Sequence, residues 1–339
     1  MTAAQFNPDS HKPVMLQEVL AALGPCDGDV YVDGTLGAGG YARGILDAAQ
    51  CRLFGFDRDA HAHARAAEWS VPYKQRFEGV HAPFGDLQEA LTARNIPEIN
   101  GAVFDLGVSS MQLDEGARGF SFRTDGPLSM RMDSGRPDAR DVINSADAAH
   151  LAAIFKAYGE ERHAKRIARA IVEARDAAPI ETTIGLASVI EAAQPAGPPQ
   201  RIHPATRVFQ ALRIFVNDEL GQLVRALAAC ERLLSAGGRL VVVTFHSLED
   251  RIVKNFFRNR MEPDAGGSRH APPVTAIAAS FQLSDYKSVP PSEAECAANP
   301  RARSARLRCG VRTSAPAIEG EISYYPPNVP ALESFWRSA

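Results

Sequence analysis

Short, nearly unbroken apolar runs alternate along this chain with stretches in which apolar residues recur every three or four positions. That alternation predicts an α/β fold built on a largely parallel sheet. The runs at 30–32, 53–56, 77–84, 101–105 and 239–245 read as strands. Leu240, Val241, Val242 and Val243 are apolar at consecutive positions, the pattern of a strand covered on both faces. Helical spacing recurs at 17–23 (Val19, Leu20, Leu23), after residue 40 (Ile45, Leu46, Ala49), at 60–69, and around Leu87, Ala90 and Leu91. It returns at 203–220, with Phe209, Leu212, Phe215 and Val216 inward, and at 223–234. Between these, 146–158, 160–175 and 184–193 are helical with no convincing strand. The expected organisation is therefore an α/β domain in two parts, 1–137 and 203–312, with a helical insertion at 138–202. A loose arm at 1–12, a proline- and alanine-rich loop at 261–300 and a flexible tail at 313–339 complete it.

The polar residues at the strand ends carry the chemistry. Val30-Tyr31-Val32 ends on Asp33, and Gly34, Gly37, Gly39 and Gly40 follow at once. Glycines after a strand let the backbone approach a ligand, because no Cβ intervenes. The next strand ends on Asp57, 18 residues beyond Gly39, a spacing that suits a carboxylate accepting the hydroxyls of a ribose. The glycine pattern is D-G-T-x-G-x-G-G, which is neither G-x-G-x-x-G nor a phosphate loop with G-K-[ST]. A loop led by Asp33 suits a ligand with a cationic end, and S-adenosylmethionine has a ribose, an adenine, a sulfonium and an ammonium without a phosphate. An ordinary tight turn in an α/β sheet also accounts for the glycines. Phe84 follows the third strand, where it either stacks on adenine or joins the core, and Asp105 ends the fourth. Ligands of open α/β sheets bind beyond the carboxyl ends of the strands, so Asp33, Asp57, Phe84 and Asp105 are expected to converge on one rim.

Composition adds bounds. At 339 residues the chain is long enough for about two domains with a large core. A net charge of −3 means that any nucleic-acid surface must be a local patch. Five scattered cysteines without C-x-x-C indicate neither a disulfide framework nor a zinc site, and no metal is expected. No signal-type or membrane-spanning run occurs, and a cytoplasmic location without membrane contact is the simplest expectation. Arg301, Arg303, Arg306, Arg308 and Arg312 lie in a stretch without acids, which suits an anionic polymer or a final strand with an arginine-lined face. The bases Arg162, Lys165, Arg166 and Arg169 read more simply as a solvated helix face. His246-Ser247 next to Glu249 invites a hydrolase reading. There is no G-x-S-x-G elbow, and adjacent His and Ser on a strand end do not assemble a triad.

Taken together, HKPVML, DGTLGAGGY, FDRD, DLGVSS, RGFSF, DGPLSMRMD, YGEERHAKRIARAI, HPATRVFQALRI, GGRLVVVTFHSLEDRIVK and NPRARSARLR resemble the bacterial small-subunit ribosomal RNA cytosine-N(4) methyltransferase family over residues 11–312. The resemblance implies a Rossmann-like methyltransferase sheet with an inserted helical domain, S-adenosylmethionine as cofactor, and 16S rRNA, within the small subunit, as partner. The target it implies is the exocyclic amine of a cytosine in the decoding region. Carried over by position, the cofactor contacts fall on Gly39, Gly40, Tyr41, Asp57, Phe84, Asp105 and Gln112. Tyr41 stands where the family usually has histidine, which puts a side-chain role there in question. Asp105 is the candidate proton acceptor for the amine. The base must leave its stack, and Phe120 and Phe122 in the polar-aromatic loop at 111–137 are candidates to receive it. His11 reads as a solvated surface residue. A homodimer is compatible with the chain. Two other readings are a cofactor-binding assembly factor without turnover and, less well matched by the glycine pattern, a nucleotide-dependent oxidoreductase.

Overall fold

The computed structural model describes residues 13–133, 137–195, 202–263, 277–284, 288–319, 322, 329 and 331–332. The expected arm with His11, and most of the expected tail, lie outside them. The strands are β1 (Val30–Asp33), β2 (Arg52–Asp57), β3 (Phe77–His81), β4 (Ile99–Asp105), β5 (Leu234–Thr244), β6 (Phe281–Leu283) and β7 (Arg306–Arg312). The helices begin with α1 (Leu16–Leu23), α2 (Gly40–Ala48), α3 (Ala60–Trp69), α4 (Leu87–Thr92), α5 (Ser110–Asp114), α6 (Ala139–Ser145) and α7 (Ala148–Gly159). They continue with α8 (Ala164–Ala177), α9 (Thr183–Ala192), α10 (Ala205–Asn217), α11 (Glu219–Leu233), α12 (Ser247–Met261) and α13 (Glu293–Ala298). The chain divides into two compact units, Met1–Gly107 with Gln222–Ser323, and Val108–Gly221 with Tyr324–Ala339.

The first unit is a Rossmann-like α/β layer structure. Its seven strands run in the order β3-β2-β1-β4-β5-β7-β6. The pairs β1–β2, β1–β4, β2–β3 and β4–β5 are parallel, and β7 lies antiparallel between β5 and β6. The order reverses between β1 and β4, the switch point at which open sheets of this kind leave a crevice for a ligand. One face carries Tyr31, Leu53, Val103, Val241, Val243 and Leu307 against Val19, Ala22 and Leu23 of α1 and Ala42, Ile45 and Leu46 of α2. Alternation sends Phe54, Phe104 and Val242 to the other face, where they are 0% exposed. Phe256 and Phe257 of α12 meet Phe281 of β6 at 5.5 and 5.6 Å. Burial on both faces is why β5 reads as a continuous apolar run.

Residues 261–300, expected as loop, contain β6 and α13 among those described. β6 has three residues, too few to show a period, and exists because β7 offers it hydrogen bonds at Phe281, Gln282 and Leu283. The basic stretch is a 3₁₀ turn, Pro300–Ser304, leading into β7. Arg308 grips Asp250 at 2.8 and 3.0 Å, and Arg312 is buried against the carbonyl oxygens of Glu231 and Ser280. Arg301, Arg303 and Arg306 are exposed.

The second unit is built from α5 to α10. Its core joins Ile154 and Phe155 of α7, Ile167 and Ile171 of α8, Ile190 of α9 and Val208 and Leu212 of α10. A Cβ on Gly159 would stand 2.4 Å from the carbonyl of Arg207, so glycine permits that close crossing of α7 and α10. The expected insertion at 138–202 falls inside this unit. The polar-aromatic loop is tied into the same unit. Asn217, 2% exposed, accepts the Met132 N–H at 3.0 Å and donates to the Met130 carbonyl at 2.8 Å. Among the described residues no helix is long and apolar enough to cross a membrane.

Candidate active site

Strand register delivers the acids to one rim of the first unit. Asp33 pairs with Gly55 on β2 and with Val103 on β4. Asp57 and Asp105, the last residues of those strands, therefore both stand two residues farther toward the carboxyl edge. The turn after β1 stitches the three strands together. Gly34 donates to the Val103 carbonyl at 2.9 Å, Leu36 to the Phe56 carbonyl at 2.9 Å, and Gly37 to Asp57 Oδ2 at 2.9 Å. Asp57 Oδ1 accepts the Asp59 N–H at 2.8 Å. Asp33 Oδ1 accepts the Thr35 N–H at 3.0 Å, and the Thr35 hydroxyl accepts the Asp105 N–H at 2.6 Å.

The glycines divide by what surrounds them. A Cβ on Gly39, whose φ is +80°, would lie 2.4 Å from the Trp69 indole, and one on Gly40 would lie 2.8 Å from Pro13. Both positions are glycine because the protein packs against them. Gly37, with φ +48°, meets nothing nearer than the Thr35 carbonyl at 3.8 Å. It is the open glycine of the loop.

Tyr41, on the first turn of α2, is 3% exposed. Its hydroxyl donates to the Val14 carbonyl. Burial, then the neighbouring carboxylates Asp105, Asp33 and Glu295, push the phenol well above its usual range. Asp105 itself is raised to about 8, by burial first and then by Asp33, Glu249 and Glu295, with Tyr41 pulling the other way. Its Oδ1 is buried and has no hydrogen-bond partner among the described residues. Burial, opposed by the Thr35 N–H, and the charge of Asp57 raise Asp33 to about 7. Asp57 is raised too, again by burial. A crowd of carboxylates competing for protons is a pocket that favours positive charge.

Phe84 sits in a 3₁₀ turn, Phe84–Asp86, beside the switch point, with its ring edge-to-face on Phe104 at 5.7 Å. Gln222 fixes that turn by accepting the Gly85 N–H at 2.9 Å. Asp33, Gly39, Gly40, Tyr41, Asp57, Phe84 and Asp105 thus all belong to the first unit. Gln112 belongs to the second, where it completes a capping box by accepting the Ser109 N–H at 3.0 Å. Phe120 is buried in the core of the second unit, and half-buried Phe122 lies on His203 at 4.5 Å and Phe209 at 4.9 Å.

Two further acids join the rim. Glu249, 2% exposed, accepts the Phe245 and His246 N–H groups at 2.8 and 3.2 Å, as its place at the third position of α12 allows. Glu295 of α13 accepts the Met15 N–H at 2.6 Å, across 280 residues of chain, and no local signal marks it.

The profile of the MraW methylase family matches residues 9–313. The chain belongs to the MraW methylase family. Among its relatives are two proteins called ribosomal RNA small subunit methyltransferase H. The one from Maricaulis maris is 53% identical over 322 residues, covering 94% of this chain and 96% of its own. The one from Rhizobium meliloti is 53% identical over 334 residues, covering 98% and 96%. A solved rRNA methylase from Streptococcus thermophilus shares 11% identity at a TM-score of 0.36, over 92% of this chain and 100% of its own. The loop, the two flanking strand ends and the start of α2 all meet at the acid rim of the switch point.

Proposed function

We propose that this methylase transfers the methyl group of S-adenosylmethionine to the N(4) amine of a cytidine in the decoding region of 16S rRNA. The observation that carries the reading is 53% identity, over nearly the full length, to methyltransferases named for small-subunit rRNA, together with a rim of carboxylates that suits a cationic donor. The orphaned Oδ1 of Asp105 is the structural test of fit: a buried acceptor without a donor suits an ammonium or sulfonium neighbour. In this reading Asp57 would accept the ribose hydroxyls, the backbone of Gly37, Gly39, Gly40 and Tyr41 would line the donor's site, Phe84 would cover the adenine, and Asp33 and Asp105 would offset the cationic end. When bound, the donor supplies an electrophilic methyl group.

The residues then have two tasks. A cytosine amine is a poor nucleophile because its lone pair is delocalised into the ring. Asp105, accepting from the amine, localises that lone pair, aligns it and takes the proton as nitrogen becomes bonded to carbon. The ionised form is the active one. Exposed Arg301, Arg303 and Arg306 hold RNA phosphates.

A tritiated-methyl transfer assay on undermethylated small subunits, followed by nucleoside analysis, tests this. Label in N(4)-methylcytidine of 16S rRNA is expected. Label in another nucleoside removes the N(4) assignment, and tight donor binding without transfer to RNA points to an assembly factor instead.

A further inference from the structure

Helix α8 carries its charges against its own dipole. Its inner face is Ala164, Ile167, Ala168 and Ile171, all buried. Lys165, Arg166 and Arg169 are exposed in its first half, and Arg162 is exposed in the turn just before it. The first turn contains no acid. The acids of the helix, Glu173 and Asp176, come only in its second half. A helix N-terminus is the positive end of the dipole, so bases there and acids at the other end are both disfavoured. Arg169 four residues before Glu173 is also the less favourable order for a pair. A face that served only its helix would carry these charges the other way round.

Among the described residues no ion pair uses Arg162, Lys165, Arg166 or Arg169. Of the acids beside them, Glu161 is buried and its carboxylate accepts the His163 N–H at 2.7 Å, while Glu160 is exposed. Tertiary packing adds a base: the Arg207 carbonyl lies against Gly159, three residues before Arg162, and Arg207 is exposed as well. No exposed residue of α8 is aromatic or large and apolar, so the face offers a protein partner no anchor. We infer that this basic face of α8 holds phosphates of the RNA, as a contact surface belonging to the helical unit. The inference rests on the RNA substrate of the reading above. It adds to Arg301, Arg303 and Arg306 of the first unit a second set of cations in the other unit. Because the chain as a whole is net acidic, such binding has to come from local faces of this kind.

The test uses the full chain with Arg162→Gln, Lys165→Gln and Arg169→Gln combined. Arg166 is kept, because its guanidinium also donates to the Gln194 carbonyl at 3.3 Å. Filter binding of a 16S rRNA fragment is followed across a salt series. The glutamine variant should bind about tenfold or more weakly at physiological salt, and its dependence of log K on log salt should be flatter by roughly two. Arg162→Lys with Arg169→Lys should keep the slope of the parent. Affinity for S-adenosylmethionine, by calorimetry, should not change. The melting temperature of the glutamine variant should not fall, since the charges removed oppose the helix dipole. A slope that the glutamine variant leaves unmoved overturns the inference, and a lowered melting temperature with that unmoved slope would mark a face that serves the helix alone. A lysine variant whose slope falls like that of the glutamine variant overturns it too. Should the parent transfer no methyl group to RNA while its slope still falls in the glutamine variant, the functional reading fails and the surface stands.

Discussion

At the scale of residues, the rim is a set of buried carboxylates whose charges oppose one another. Asp57 has each oxygen engaged by one backbone N–H, Gly37 and Asp59, which aims the carboxylate and leaves further lone pairs for hydroxyls. Asp57→Ala is expected to weaken S-adenosylmethionine binding by about tenfold or more, measured by calorimetry, from lost charge-assisted hydrogen bonds. Unchanged affinity would remove the ribose role. Protons tell a second story. Folding raises Asp33 to about 7 and Asp105 to about 8, so between about pH 4 and pH 8 the folded chain binds protons that the unfolded chain has released. Stability of the ligand-free protein must therefore decline as pH rises through that window. Asp33→Asn keeps an oxygen for the Thr35 N–H and removes the buried charge. Its melting temperature at pH 8 should exceed that of the parent, with a flatter decline from pH 5, as read by thermal unfolding at both pH values.

At the scale of elements, the loop between β1 and α2 has to satisfy its own packing before it can hold anything. Gly39 takes a left-handed φ under the Trp69 ring, and a methyl there meets the indole at 2.4 Å. Gly37 also has a positive φ but open surroundings. Gly39→Ala should lose about 2 kcal/mol or more of folding stability in urea titration, combining backbone strain and overpacking. Gly37→Ala should lose only about 1 to 2 kcal/mol, the backbone part alone. It should nevertheless weaken donor binding, because straining the Gly37 backbone disturbs the N–H that aims Asp57. If the two variants unfolded alike, the distinction between a packing glycine and an open one would be lost. The start of α2 was legible in the sequence as glycines following a strand. Which glycine stands open was not, because that depends on Trp69 from α3 and Pro13 from the segment before α1.

At the scale of the whole first unit, antiparallel pairing decides where the basic stretch goes. Arg306 pairs with Thr244, so the beginning of β7 and the turn carrying Arg301 and Arg303 lie at the carboxyl end of β5. That is the edge on which the acids gather, and it sets cationic side chains at the same edge as the acids in a chain whose net charge is −3. Replacing Arg301, Arg303 and Arg306 together by glutamine should weaken binding of a 16S rRNA fragment. It should also flatten the dependence of log K on log salt by roughly two. Filter binding across a salt series reads both, and an unaltered slope would mean that these arginines do not neutralise phosphates. Arg308 and Arg312 are left out of the variant because they hold Asp250 and the buried oxygens around Glu231.

The sequence by itself determined the α/β alternation, the acids that end β1, β2 and β4, and the glycine turn. Each is written in local order: an apolar run, its last polar residue, and the residues that turn the chain. The family blocks added the kinship. Tertiary structure alone decided the rest. Glu295 reaches Met15 across 280 residues, Tyr41 spends its hydrogen on Val14, and the loop aromatics pack with the core of the helical unit. Those assignments depend on contacts between residues distant in the chain, and a carboxylate's proton affinity depends on what surrounds it in space, which no spacing along a sequence records.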